Sequence, residues 1–327
     1  WVRNPKNHQT DLQEIEEGKD RDEYENEINF ISKLQNKISS RDNSDNTPIG
    51  YKDNPLKDFP RGAFAGECLH KILERINFQS SIDINENYQL IQEELNRSGI
   101  DPKHLEDVQK AIKRVLNIPI SGPLAQLRLR DIRPNQRIHE MSFDLPLSHE
   151  GGDISSLGLS KVFKIDQNAR FGRSYAKQIS DLRITSKGFL TGSIDLIFAD
   201  QENHSEARWW VVDWKSNWIG KKTEGITSCG PANYDEEAME RQMLHHNYPL
   251  QAHLYLVAMH RLLKWRLPQY NPEKHLGGYI YIFLRGIPEE HELKALKVSS
   301  TLPGLFVEKA PVKRLLALND LLDKGEI

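Results

Sequence analysis

Across 327 residues this chain has two cysteines, Cys68 and Cys229. So few exclude a disulfide framework, a four-cysteine zinc site and an iron–sulfur cluster, and two distant thiols suit a reducing, cytoplasmic setting. No apolar run approaches the ~18 residues that a membrane span needs, and no signal-peptide pattern is visible. No Walker A sequence occurs, so no ATP site is expected in these residues. Neither sign of charge dominates. Lys and Arg number 44 against 47 Asp and Glu, a net charge of −3, which does not by itself advertise a nucleic-acid partner. A nearly neutral body can still hold a positive groove, because clustering decides rather than the sum. The chain opens on Trp1 rather than Met, from which a fragment of something longer is expected.

What is present is an ordinary globular composition, 38% hydrophobic and 28% charged. Residues 1–58 differ from the rest: they carry 13 acidic and 9 basic residues and include the turn-rich run SSRDNSDNTP. They read as an acidic, flexible linker or arm, with too little apolar surface to offset its ordering entropy. An arm that docks on a basic surface or shields a groove is the sharper alternative. Residues 59–327 read as one domain. Residues 62–76 have helical spacing that puts Phe64, Cys68, Leu69, Ile72 and Ile76 on one face, with His70 beside Gly66 and Glu74. Helices are expected over 86–98 and 102–117, the second capped by Asp101 with Pro102 at its start. Strands are expected over 137–147, 189–198, 208–216 and 277–284, the middle two as a hairpin, and a loop over 148–160. A long helix over 235–267 carries an apolar stripe of Leu250, Leu254, Val257 and Leu262 and is open to a break near Pro249; a short helix spans 311–323. The order predicts an α/β fold, a mixed central sheet flanked by helices around a single core.

Chemistry concentrates in Asp195 and in Asp213-Trp214-Lys215. Alternation along a strand puts Asp213 and Lys215 on one face and Val212 and Trp214 on the other. A hairpin brings Asp195 beside Asp213. Two such carboxylates repel unless a cation lies between them, and a hard divalent ion answers that. A lone D-x-K is a weak signal, and an ion pair at a sheet edge is the plain alternative. The apolar flanks in SIDLIF and VVDWKS weigh against it, since burying unpaired charge costs on the order of several kcal/mol.

At this point the motifs become specific. GSIDLIF (192–198) followed by WWVVDWKSNWIG (209–220) resembles the nuclease motifs of the RecB family, within the PD-(D/E)xK superfamily. GECLHKILE (66–74) resembles that family's G-x-x-x-H-x-x-L-E helix, and HEMSFDLPL (139–147) its strand bearing an acidic residue. YPLQAHLY (248–255) resembles its Q-x-x-x-Y helix, and HLGGYIYIFLRG (275–286) the strand that follows. The blocks run in family order across roughly residues 60–290.

The resemblance implies a restriction-endonuclease-like fold and the C-terminal nuclease domain of a RecB-type subunit. It implies Asp195, Asp213 and His70 as metal ligands, with the Trp214 backbone carbonyl, and Lys215 as the catalytic lysine. Glu140 is left open between a metal role, direct or through water, and a structural one, with Asp144 nearby on the same strand parity. Gln251 and Tyr255, one helical turn apart, would contact DNA or brace the site. Lys221 and Lys222 are open between phosphate contacts and solvated surface. The implied cofactor is Mg²⁺, with Mn²⁺ or Ca²⁺ able to substitute, and no iron–sulfur cluster. The implied partners are single-stranded DNA fed by a helicase, RecC-like and RecD-like subunits and RecA, and no membrane. Rival readings are a RecA- or subunit-docking module with little activity of its own, and a stand-alone repair nuclease.

Overall fold

A computed structural model describes residues 2–3, 53–82, 84–147, 154–166, 169–182, 185–186, 188–223, 226–293 and 301–325. Its sheet runs in chain order: β1 (Arg137–Leu147), β2 (Gly188–Ala199), β3 (Trp209–Lys215), β4 (Leu276–Phe283) and β5 (Leu305–Lys309). Neighbours are antiparallel except β3 and β4, which are parallel. Val2–Arg3 also pairs with β2. The sheet is mixed and lies between two helical layers, a restriction-endonuclease-like arrangement. One layer holds α1 (Ala63–Arg75), α2 (Asn85–Arg97) and α3 (Leu105–Asn117). The other holds α4 (Ser156–Lys164), α5 (Arg173–Asp181), α6 (Glu236–His245), α7 (Tyr248–Arg266) and α8 (Val312–Lys324).

Coverage on both faces explains why β3 reads as a nearly unbroken apolar run. Trp210, Val212 and Trp214 bury into the α1–α3 layer, and Trp209 and Val211 into the other. The parallel β3–β4 pair needs a long crossover, which α6 and α7 supply. Gly277 lets β4 lie close to β3, since a Cβ there would stand 2.3 Å from the Trp210 indole.

Several expectations need correction. The region from Ser156 onward is helical, with the Ser155 side chain accepting from the Gly158 N–H, so the Ser-rich stretch caps a helix rather than forming a loop through residue 160. Residues 148–153 lie outside the described residues. Helix α5 and strand β5 have no counterpart in the sequence reading. The break allowed for near Pro249 is present: the long helix is interrupted at His246–Asn247, where Asn247 turns left-handed (φ 55°), and Pro249 falls in the first turn of α7, where proline is tolerated. α7 is buried on more than one stripe: Leu256, Val257, Met259 and Leu263 are buried, while Leu262 is half-buried. Asp101 caps a 3-10 turn, Pro102–His104, ahead of α3. Phe64 leaves the core face altogether and is 61% exposed, while its neighbour Ala65 takes the buried position in the first turn of α1.

Most of the expected arm, residues 1 and 4–52, lies outside the described residues. Nearer the body, Asn54 and Leu56 are buried. The buried Arg285, just after β4, donates to the carbonyls of Leu56, Phe59 (3.2 Å), Pro60 (2.6 Å) and Ser216 (3.0 Å). The lead-in to α1 and the exit of β3 are thereby tied to one guanidinium.

Candidate metal centre

Strands β2 and β3 pair from Ala199↔Trp209 to Leu196↔Val212 and then separate. At the point of separation the Trp214 backbone N–H donates not to a backbone carbonyl but to the Asp195 carboxylate, at 2.7 Å. This notch takes Asp195 and Asp213 off adjacent strands and holds both nearly dry, at 8% and 3% exposed. Burial pushes Asp213 up to about 6, with Lys215 opposing the rise and the Asp195 charge adding to it.

Helix α1 brings the third element. A Cβ on Gly66 would stand 2.8 Å from Ser216 Oγ, so glycine lets α1 press against the exit of β3. One turn further on, His70 Nδ1 lies 3.3 Å from Asp195 Oδ1. Burial alone would lower the His70 pKa, but the contact with Asp195 raises it. The fourth group comes from β1. Glu140 is left-handed (φ 47°), a rare and strained conformation for a residue with a side chain. The strand's facing changes there: His139 meets Phe78 edge-on in the α1–α3 layer, whereas Met141 packs into the opposite layer. Glu140 accepts from Ser193 Oγ at 2.7 Å, and burial raises its pKa. Ligand atoms of His70, Glu140 and Asp195 all lie within 4.8 Å of one another.

Lys215 sits behind this cluster. Its Nζ is 2.6 Å from Asp213 Oδ2, 3.3 Å from Gln251 Oε1 and 3.9 Å from the centre of the Tyr248 ring. Burial alone would lower its pKa, yet the Asp213 charge raises it, so the ammonium persists in a dry site. Gln251 Oε1 also accepts from Tyr281 Oη at 2.9 Å, and its amide donates to Tyr255 Oη at 3.0 Å. Burial and the nearby Asp213 raise the pKa of both phenols, which keeps them neutral.

Two carboxylate oxygens and an imidazole nitrogen converging on one point, with a third carboxylate alongside, are a donor set suited to a divalent cation. Asp213 Oδ2 is buried 2.6 Å from the Lys215 ammonium, so this carboxylate enters the site already paired with the lysine.

The chain is 30% identical over 288 residues to the RecBCD enzyme subunit RecB of Mycobacterium tuberculosis, an alignment covering 84% of this chain and 25% of the relative. It is 31% identical over 251 residues to the subunit of the same name in Escherichia coli, covering 76% of this chain and 19% of that one. The chain belongs to the RecB family. A third relative, RecB of Mycolicibacterium smegmatis, is 29% identical over 289 residues, 82% of this chain and 24% of the relative. No protein-family model matches the chain. This RecB-family chain spans about a quarter of the length of the curated relatives it matches.

The residues singled out in the RecB motifs meet at one place. His70, Glu140 and Asp195 form the cluster, Asp213 and Lys215 pair beside it, and Gln251 and Tyr255 brace Lys215 and the phenol network. Trp214 contributes its N–H to Asp195 while its indole is core. Of the two acids weighed on β1, Glu140 is in the cluster and Asp144 is exposed opposite Thr191. Lys221 is exposed on a short strand, Lys221–Thr223. Sequence reasoning missed Tyr281 and the part Tyr248 plays over Lys215. The signal was present in YIYIF, where alternate tyrosines on an otherwise apolar strand show one face meeting polar atoms.

Proposed function

We propose that this chain is a divalent-cation-dependent deoxyribonuclease domain of a RecBCD-type helicase–nuclease, acting on single-stranded DNA in double-strand-break repair and recombination. The observation that carries the reading is the convergence of His70, Glu140 and Asp195 within 4.8 Å beside the buried Asp213–Lys215 pair. His70, Asp195, Asp213 and the Trp214 carbonyl, with Glu140, would hold Mg²⁺, for which Mn²⁺ or Ca²⁺ could substitute. The bound cation supplies Lewis acidity toward a phosphate oxygen and a water of lowered pKa. Lys215 is the residue that would orient the attacking water or offset charge developing on the phosphate. Gln251 and the rings of Tyr248 and Tyr281 fix where its ammonium points, so that orientation is set before substrate arrives.

The relatives are named as subunits of the RecBCD enzyme. On that basis we assign this chain RecC-like and RecD-like partners, and RecA as a further one from the motif resemblance. Cys68 and Cys229 are both buried free thiols, which suits the reducing cytoplasm that such a role requires. Among the described residues no helix is long and apolar enough to cross a membrane.

The deciding experiment is degradation of single-stranded DNA by the chain with Mg²⁺, with EDTA, and with Asp213→Ala. Cutting should need Mg²⁺ and fall by at least about 10²-fold in the variant. Cutting that survives either EDTA or the substitution would remove the reading.

A further inference from the structure

Helix α5 carries none of the RecB motifs, yet it reaches the break between α6 and α7, where the chain turns through His246 and a left-handed Asn247. Such a break leaves the last carbonyls of α6 and the first N–H groups of α7 without partners inside either helix. Tyr175 and Gln178, three residues apart on one face of α5, supply partners to both ends. The half-buried Gln178 amide donates to the Leu244 carbonyl at 2.7 Å and to Asn247 Oδ1 at 3.2 Å. The Tyr175 hydroxyl accepts from the Leu250 N–H at 3.2 Å and faces both oxygens of Asn247, Oδ1 at 3.3 Å and the carbonyl at 3.4 Å. Its ring is fully buried, edge-on to Phe163 with centroids 4.9 Å apart.

The residues just past the break are the ones that touch Lys215. Tyr248 holds its ring centre 3.9 Å from the ammonium, and Gln251 Oε1 lies 3.3 Å from it. Tyr248 is the middle of a stack, between His246 (centroids 5.1 Å apart, planes 18° apart) and Tyr281 (5.4 Å, 25°). A ring that presents its face to a cation loses the attraction when it turns edge-on. Asparagine enters and leaves the left-handed conformation more readily than other residues with side chains, so Asn247 alone is a swivel. A turn there would carry Tyr248 and Gln251 off the ammonium and leave Lys215 to Asp213. We propose that Tyr175 and Gln178 are positioning residues for Lys215: clasping the α6–α7 break from α5, they fix Tyr248 and Gln251 and with them the place of the ammonium. The bearing of this clasp on turnover rests on the nuclease reading above, whereas the place of the ammonium does not.

The test uses the whole chain labelled with carbon-13 at lysine Cε. Protons over an aromatic face resonate upfield, so the Lys215 signal should stand apart from the other lysines, and its loss in Lys215→Arg identifies it. Tyr175→Phe keeps the buried ring and removes the hydroxyl; Gln178→Met keeps the length and removes the amide. Each, read without metal, should move the Lys215 signal toward the other lysines, and the two together should move it furthest. In Mg²⁺-dependent cutting of single-stranded DNA the double variant should lower kcat about ten-fold and leave KM within about two-fold. Gln178→Lys, which still offers N–H donors, should keep kcat within about two-fold of the parent. Tyr270→Phe, which removes a hydroxyl bonded to His260 at 2.9 Å beyond the other end of α7, should move neither reading. The clasp is overturned if the parent signal lies among the other lysines, if the double variant leaves it in place, or if Tyr270→Phe moves it as far. A double variant that loses its fold passes both readings to the single variants. A parent that never cuts, with a Lys215 signal that moves as expected, topples the nuclease reading and leaves the clasp; variants that cut as fast as an active parent topple the clasp alone.

Discussion

Around Arg170 three carboxylates, those of Glu236, Glu240 and Glu308, converge on one guanidinium, Glu308 at 2.8 Å and Glu240 at 3.0 Å. At the notch three others, from Glu140, Asp195 and Asp213, gather about one ammonium and one imidazole. The formal charges are alike, but the solvation is not. The Arg170 acids keep side-chain exposures of 24% to 44%, and the forked guanidinium presents a separate donor direction to each. The aspartates of the notch have 5% and 11%, and the single ammonium is already engaged by Asp213 and Gln251. The first cluster is complete as it stands. The second is dry, under-donated and built around a strained residue, which is how a ligand site differs from a structural ion pair.

The largest contrast should appear in turnover. Lys215→Ala should lower kcat for Mg²⁺-dependent cutting by about 10²- to 10³-fold, whereas Arg170→Met should leave kcat unmoved in the same assay. Comparable losses in both would erase the distinction between the clusters. Thermal unfolding sharpens it next. Mn²⁺ at about 100 times its dissociation constant should stabilise the chain by about 2.7 kcal/mol. Asp195→Asn should abolish that gain. Arg170→Met should keep it while lowering stability by about 1–2 kcal/mol, a figure discounted for the partial exposure of its partners.

The last contrast concerns a buried group with no counter-ion. His253 is fully buried, its Nδ1–H donates to the Pro249 carbonyl at 2.6 Å, and burial with the nearby Arg314 charge lowers its pKa to about 3. A folded value below the unfolded one means that the unfolded chain takes up a proton first as pH falls. Its contribution to stability is whole above about pH 6.5 and is lost toward pH 3, roughly 2 kcal/mol by pH 5. Urea titrations at pH 7 and pH 5 should show His253→Leu losing less stability on acidification than the parent; parallel losses would refute the assignment.

Much of this was legible before any coordinates. Asp195 and Asp213 announced themselves because charges inside SIDLIF and VVDWKS have no cheap structural use, and a hairpin with a moderately long loop pairs the two strands. His70 was readable from its motif, whereas its distance from Asp195 depends on Gly66 meeting Ser216, a long-range contact that no local pattern encodes. Glu140 could not be separated from Asp144, because strand parity assumes regular backbone and the left-handed turn at Glu140 breaks it. The helices α4 and α5 are nine residues each, too short for periodicity to stand out against their polar positions. Phe64 failed for the opposite reason: the periodicity holds, but Phe64 sits at the margin of the buried arc, whose first-turn place is taken by Ala65.

The knot at Arg285 carries a practical consequence for dissection of the protein. Three of its four carbonyl acceptors, on Leu56, Phe59 and Pro60, precede α1, and the fourth belongs to Ser216. Trimming the chain to a tidy start at α1 would strand a cation in the interior with a single acceptor and unmoor the helix that carries His70. A minimal fragment should retain Asn54 onward, and a shorter one that fails to fold would say nothing about the chemistry of the notch.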